Sequence, residues 1–130
     1  MREIKFRAWD KERNTMLDVI ELNLFSGNVT LPADSERYGR SLSAVELMQF
    51  AGLHDKNGKE IWEGDVLGFY VNAGKGKVPL GEVYFDEHRR AWMLKNGKRY
   101  LDHSEWPSSP EVIGNIYENP ELLEANAPRS

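Results

Sequence analysis

The chain has 130 residues, 40% of them hydrophobic, with four Trp, five Tyr and five Phe; that is the size of one ordinary domain and too apolar and aromatic for disorder. It contains no cysteine, which excludes disulfides, thiolate metal sites and a cysteine nucleophile and fits a reducing compartment. The net charge of −4 argues against a uniformly basic nucleic-acid binder, and no apolar run approaches the roughly 18 residues that span a bilayer, so neither export nor membrane insertion is expected.

Ile4, Phe6 and Ala8 alternate with Lys5, Arg7 and Trp9, the period-two pattern of a strand with one face toward a core. Asp10 to Thr15 is a polar turn. Met16 to Ile20 and Leu22 to Phe25 are β-favouring, and Ser26-Gly27-Asn28 before Val29-Thr30-Leu31 predicts a hairpin. Pro32 to Arg40 reads as a loop by composition. Ser41 to Phe50 is ambiguous: Ser43-Ala44-Val45-Glu46 fits a helix capping box with Gly52 as the terminator, yet Val45, Leu47, Met48, Phe50, Ala51 and Leu53 also suit a buried strand. Asn57-Gly58 predicts a tight primed hairpin turn with both residues at positive φ. Glu63-Gly64-Asp65 makes a second turn into Val66 to Val71, and Asn72 to Lys77 a glycine- and lysine-rich loop. Gly81 to Asp86 and Arg90 to Lys95 pair around Glu87-His88-Arg89. Asn96 to Pro110 is polar, Glu111 to Tyr117 is a last strand, Asn119-Pro120 opens a short helical turn, and 127–130 should fray.

Three stretches carry a family resemblance. The run from Leu47 to Val66 includes Asp55-Lys56-Asn57-Gly58-Lys59 and Glu63-Gly64-Asp65. The other two are Glu111-Val112-Ile113-Gly114-Asn115-Ile116-Tyr117-Glu118-Asn119-Pro120-Glu121-Leu122 and the opening Met1 to Asp10. Together they resemble the YopX family of bacteriophage and prophage proteins. Ala51, His54 and Trp62 depart from that family's usual Thr, Lys and Tyr. The resemblance implies a phage-borne chain of largely β structure with no assigned activity, and it tips Val45 to Leu53 toward strand. The fold expected is α+β and predominantly β, of short antiparallel strands, with a small SH3-like barrel in the C-terminal half. One domain is expected over 1–130: a β-rich part at 1–45 with its loop at 32–40, a barrel at 46–119, and a short turn with a tail at 120–130.

Candidate chemistry is sparse. His54, His88 and His103 lack ligand spacing, so no metal site is expected. Glu60, Glu63 and Asp65 could present carboxylates from one turn, but Gly-Asp corners are explained by backbone geometry, so Asn57, Gly58, Gly64 and Asp65 are read as structural. Gly74-Lys75-Gly76-Lys77 lacks phosphate-loop spacing, and Ser108 and Ser109 lack a nucleophile elbow. No catalytic residue or cofactor is assigned.

The strongest signal is charge segregation. Residues 72–100 hold Lys75, Lys77, Arg89, Arg90, Lys95, Lys98 and Arg99 against Glu82, Asp86 and Glu87, seven bases against three acids inside a chain of −4. With Trp92 or Tyr100 to stack on a base, this segment could lie along a phosphate backbone. The opposing interpretation is a set of solvated hairpin tips with Trp92 in the core. With the resemblance implying a phage-borne chain, the expected function is a non-catalytic, self-associating interaction module of the bacterial cytoplasm that binds a host or phage protein. The alternative is a nucleic-acid-binding accessory factor.

Overall fold

The computed structural model describes residues 3–71, 76–102, 106 and 110–124, and the chain divides into two compact units, Met1–Phe50 and Ala51–Ser130. The expected tail at 127–130, together with Lys75, His103, Ser108 and Ser109, lies outside the described residues.

In the N-terminal unit, alternation places every second residue of β1 (Phe6–Asp10) toward the core, and Ala8 is fully buried. β1 is flanked by β2 (Thr15–Asp18), with Ala8 opposite Leu17, and later by the first half of β6 (Val45–His54), with Ala8 opposite Leu47. A separate antiparallel sheet runs in the order β3 (Glu21–Asn23), β4 (Asn28–Ala33), β5 (Glu36–Ser41). Val29 and Leu31 of β4 meet Ala8 and Val45 in one core, ringed by Leu17, Leu22, Tyr38 and Leu47. The predicted loop at 32–40 is thus corrected: only Asp34 and Ser35 turn the chain, and β5 lies where composition suggested loop.

The competing helix over Ser41 to Phe50 is reduced to one 3-10 turn, Leu42–Ala44, after which β6 runs as the strand that the resemblance implied. Ser41 rather than Ser43 caps that turn, its Oγ accepting from the Ser43 amide at 3.3 Å. Cross-strand partners on β1 override the local capping signal, because a strand buried against β1 satisfies its backbone and its apolar side chains together.

In the C-terminal unit the second half of β6 is bonded to β7 (Glu60–Trp62), and a five-stranded antiparallel sheet runs β11-β10-β9-β8-β12. Its strands are β8 (Asp65–Val71), β9 (Gly76–Asp86), β10 (Ala91–Asn96), β11 (Arg99–Asp102) and β12 (Glu111–Asn115). Leu67, Val83, Leu94 and Val112 project from one face of this sheet and enclose a core with Ile61 of β7 and Ala51 and Leu53 of β6. A single helical turn, α1 (Glu121–Glu124), follows Pro120 as expected. Predominantly β, antiparallel architecture is therefore what forms; helix is confined to these two short turns among the described residues. None of the described helices is long and apolar enough to cross a membrane.

The primed turn at Asn57-Gly58 is also corrected. Gly58 has φ +83, but Asn57 does not take positive φ. The Gly58 amide donates to the Asp55 carbonyl at 3.0 Å and the Asp55 amide to the Lys59 carbonyl at 2.8 Å. That is a three-residue loop with a left-handed residue in last place, which needs only one glycine.

Candidate interaction surfaces

Four buried polar side chains among the described residues, Asp10, Asp55, Asp65 and Asn115, are the first places to look for chemistry. Each is occupied in holding a turn. Asp10 Oδ1 accepts from the Glu12 and Arg13 amides, and Oδ2 from the Tyr38 hydroxyl at 2.7 Å and Arg40 Nε at 3.1 Å. Arg13 and Arg40 also lie over the Tyr38 ring, at 4.6 and 4.9 Å. Burial alone would raise the Asp10 pKa, but the hydrogen bonds from Tyr38, the two amides and Arg40 together hold it below its ordinary value.

Asp55 plays the same part in the C-terminal unit. Its Oδ1 accepts from the Asn57 and Lys59 amides, and its Oδ2 from the Val112 amide of β12 at 3.0 Å. Burial opposes ionisation here too, and the Val112, Lys59 and Asn57 hydrogen bonds outweigh it, so its pKa is lowered. Lys56 and Asn57 reinforce the tie by reaching Glu111, at 2.8 and 3.4 Å. Asp65 accepts from the Trp62 amide at 2.8 Å. Gly64, at φ +87, donates its amide to Val83 and accepts from Ile116, bonds that fix the corner from both sides. Asn57, Gly58, Gly64 and Asp65 thus lie at these two turns, each making a backbone or side-chain bond within or across them. Among the described residues, no three His, Asp or Glu side chains come together as a metal site would require.

The basic segment is distributed rather than gathered. Arg89 and Arg90 occupy the β9–β10 turn, and Arg89 reaches Asp102 at 3.8 Å. Lys98 occupies the β10–β11 turn and Arg99 opens β11, about 17 Å away along a six-residue strand. Lys77 is turned back, its Nζ donating to the Ile113 carbonyl at 3.1 Å. Lys95 lies over the Tyr84 ring at 4.8 Å, opposite Glu82 in the ladder. Burial raises the Glu82 pKa, with Lys95 opposing. Trp92 is half-buried, edge-on to Phe85 at 5.3 Å and packed against the core, whereas Tyr100 is 56% exposed beside Lys98 and Arg99. The base that could touch a polyanion together with this ring is therefore Lys98, because Arg99 and Tyr100, consecutive on β11, project to opposite faces.

Two surfaces were not singled out from the sequence. The first is the β3–β4 turn, where Leu24 is 77% and Phe25 fully exposed. The sequence placed both in a strand, one step before the glycine turn. The turn instead begins at Asn23, whose Oδ1 accepts from the Ser26 amide at 3.0 Å and whose carbonyl accepts from Gly27 at 2.9 Å. Gly27 has φ +73, and its carbonyl accepts from Leu42 at 2.8 Å. Two large apolar side chains thus stand in water on a turn tied at three points. Beside it, Glu21, Asn23, Asn28, Thr30, Gly39 and Ser41 line an open depression of about 440 Å³, too polar and too open for an apolar small-molecule pocket.

The second surface is the outer edge of β5. The signal that could have found it is Tyr38, an aromatic residue between alternating charges in a stretch rich in turn formers.

The family described as YopX protein matches residues 5–124. No curated protein matches the chain. Among solved structures it is similar to the crystal structure of protein EF1440 from Enterococcus faecalis, at 27% identity and a TM-score of 0.62, over 95% of this chain and 99% of that one. A match across nearly the whole chain, with a solved structure of similar extent and fold, establishes that the chain belongs to the YopX family.

Proposed function

We propose that this chain is a phage- or prophage-encoded, non-catalytic interaction module of the bacterial cytoplasm that self-associates and binds a host or phage protein. The observation that carries the reading is the Leu24–Phe25 turn. A fully exposed Phe next to an exposed Leu is unfavourable in a free monomer, and holding it on a tied turn lowers the entropy lost when a partner covers it. Burying both side chains would contribute about 3–5 kcal/mol. The C-terminal unit is the scaffold, an SH3-like barrel in which the β6–β7 hairpin closes over the five-stranded sheet. The buried carboxylates support a binding role, since each is committed to backbone donors. Affinity capture from phage-infected cells, with wild type and a Leu24→Ser/Phe25→Ser variant, tests the reading. A protein retained by the wild type and lost with the variant supports it, whereas identical retention by both removes the turn from the function.

A second reading, nucleic-acid binding, is favoured by Lys98 in the β10–β11 turn beside exposed Tyr100 of β11. It predicts association that falls steeply with salt, since each phosphate contact releases counterions. Titration of single-stranded DNA and RNA at low and physiological salt against Lys98→Glu/Arg99→Glu decides it.

A further inference from the structure

The sheet β3-β4-β5 leaves β5 outermost, six residues long and mostly exposed. The direction of its backbone groups follows from the ladder. The Thr30 carbonyl accepts from the Ile20 amide, so Thr30 is turned toward β3 and away from β5. Thr30 faces Gly39, and antiparallel ladders alternate bonded and non-bonded pairs, so Gly39 and, two residues away, Arg37 direct their N–H and C=O outward. Among the described residues nothing meets these groups.

We propose that this edge pairs antiparallel with the same edge of a second copy, about a two-fold axis at Tyr38, with Arg37 opposite Gly39 of the partner. The proposal rests on the self-association in the reading above and names its surface. Outward groups restrict the bonded pairs to odd-numbered residues, and charge then selects among the registers that remain. Placing Arg37 opposite Arg37 sets like charges together. Placing Gly39 opposite Gly39 leaves the acids of β5 without a base. With Tyr38 opposite Tyr38, Glu36 of each copy faces Arg40 of the other, giving two opposite-charge pairs. Arg40 uses Nε on Asp10 and Nη2 on Glu12, which leaves guanidinium donors for a further carboxylate. Glu36 has no ionic partner within its own chain among the described residues. Gly39 carries no side chain, so Arg37 of the other copy can lie across it. A two-fold axis makes the contact self-complementary and closed, the commonest form of soluble oligomer.

The chain has no cysteine, so cross-linking reads the register directly. Bonded antiparallel partners lie about 5.5 Å apart at Cα, inside disulfide range. Arg37→Cys mixed with Gly39→Cys should form a mixed disulfide on mild oxidation, and Arg37→Cys alone should not. A Cβ at Gly39 meets only the Val29 carbonyl, at 3.8 Å, so the substitution is tolerated. Gly39→Pro removes an outward N–H without breaking a β4 bond; it should convert a mass of two chains to one in light scattering, with circular dichroism unchanged. Glu36→Lys should raise the dimer dissociation constant about tenfold. A wild type that stays at one chain to millimolar concentration overturns both this proposal and the self-association it rests on. A wild-type dimer that is indifferent to Glu36→Lys, with no disulfide between the Arg37→Cys and Gly39→Cys variants, overturns the β5 edge alone.

Discussion

The two units treat their sheet edges differently. In the C-terminal unit, the β12 edge is closed by Asp55, which takes the outward Val112 amide at 3.0 Å. In the N-terminal unit the longer β5 edge has no such side chain among the described residues, although Asp10 and Tyr38 could have been placed to cover it. An unpaired edge is a hazard for unplanned association, and proteins ordinarily cover or charge it. One unit has an edge closed by a side chain from elsewhere in the sequence; the other keeps an edge whose charges complement a copy of itself. Contact is prevented at the first and permitted at the second.

The largest effect should come from breaking the closed unit. Asp55→Ala leaves three backbone N–H groups without their acceptor and should cost about 2–4 kcal/mol, read as a lower urea midpoint. Acid sharpens the same point in both units. The pKa values of Asp10 and Asp55 are depressed by folding, so their stabilisation is present above the ordinary Asp value of 3.8 and is lost as pH falls through the lower folded values. Urea midpoints measured from pH 6 to pH 2 should fall below about pH 4, and fall less in Asp10→Asn. Trp106→Phe removes the indole bond to Leu101 while keeping most of the packing. It should cost about 1 kcal/mol, read as a lower urea midpoint. The smallest effect belongs to Phe25→Ser, within about 0.5 kcal/mol of wild type because the ring is already in water; a melting curve shifted well beyond that would mean Phe25 is packed.

Much of the strand order was legible in the sequence, because Ile4 to Ala8, Val66 to Val71 and Glu111 to Tyr117 carry their apolar residues at strand spacing. β5 was not. An edge strand with only Tyr38 directed inward needs no alternating apolar set, so Glu36-Arg37-Tyr38-Gly39-Arg40 has the composition of a loop. β11 escaped for the same reason. The turn at Gly58 was found in place but not in kind, since a primed turn and a loop ending on a left-handed glycine both require Gly58 and differ only at Asn57. The basic segment shows the limit of counting charge along a chain. A hairpin sends Arg89 and Lys98 to opposite ends of one strand, and the register needed to foresee that is a tertiary property.

The Asp55 carboxylate also bears on how the chain folds. It joins residues 57 positions apart in sequence, so the turn after β6 has its donors at Asn57 and Lys59 early in synthesis but waits for Val112 until the intervening strands have been made. Contacts of such long range slow folding, because the intervening chain must be ordered before they form. β12 is therefore the last piece of the five-stranded sheet to arrive at the ribosome, and until then the Val112 seat on Asp55 and the flank of β8 stand open together. A slow folding phase that vanishes in Asp55→Asn would locate that closing step in time as the structure locates it in space.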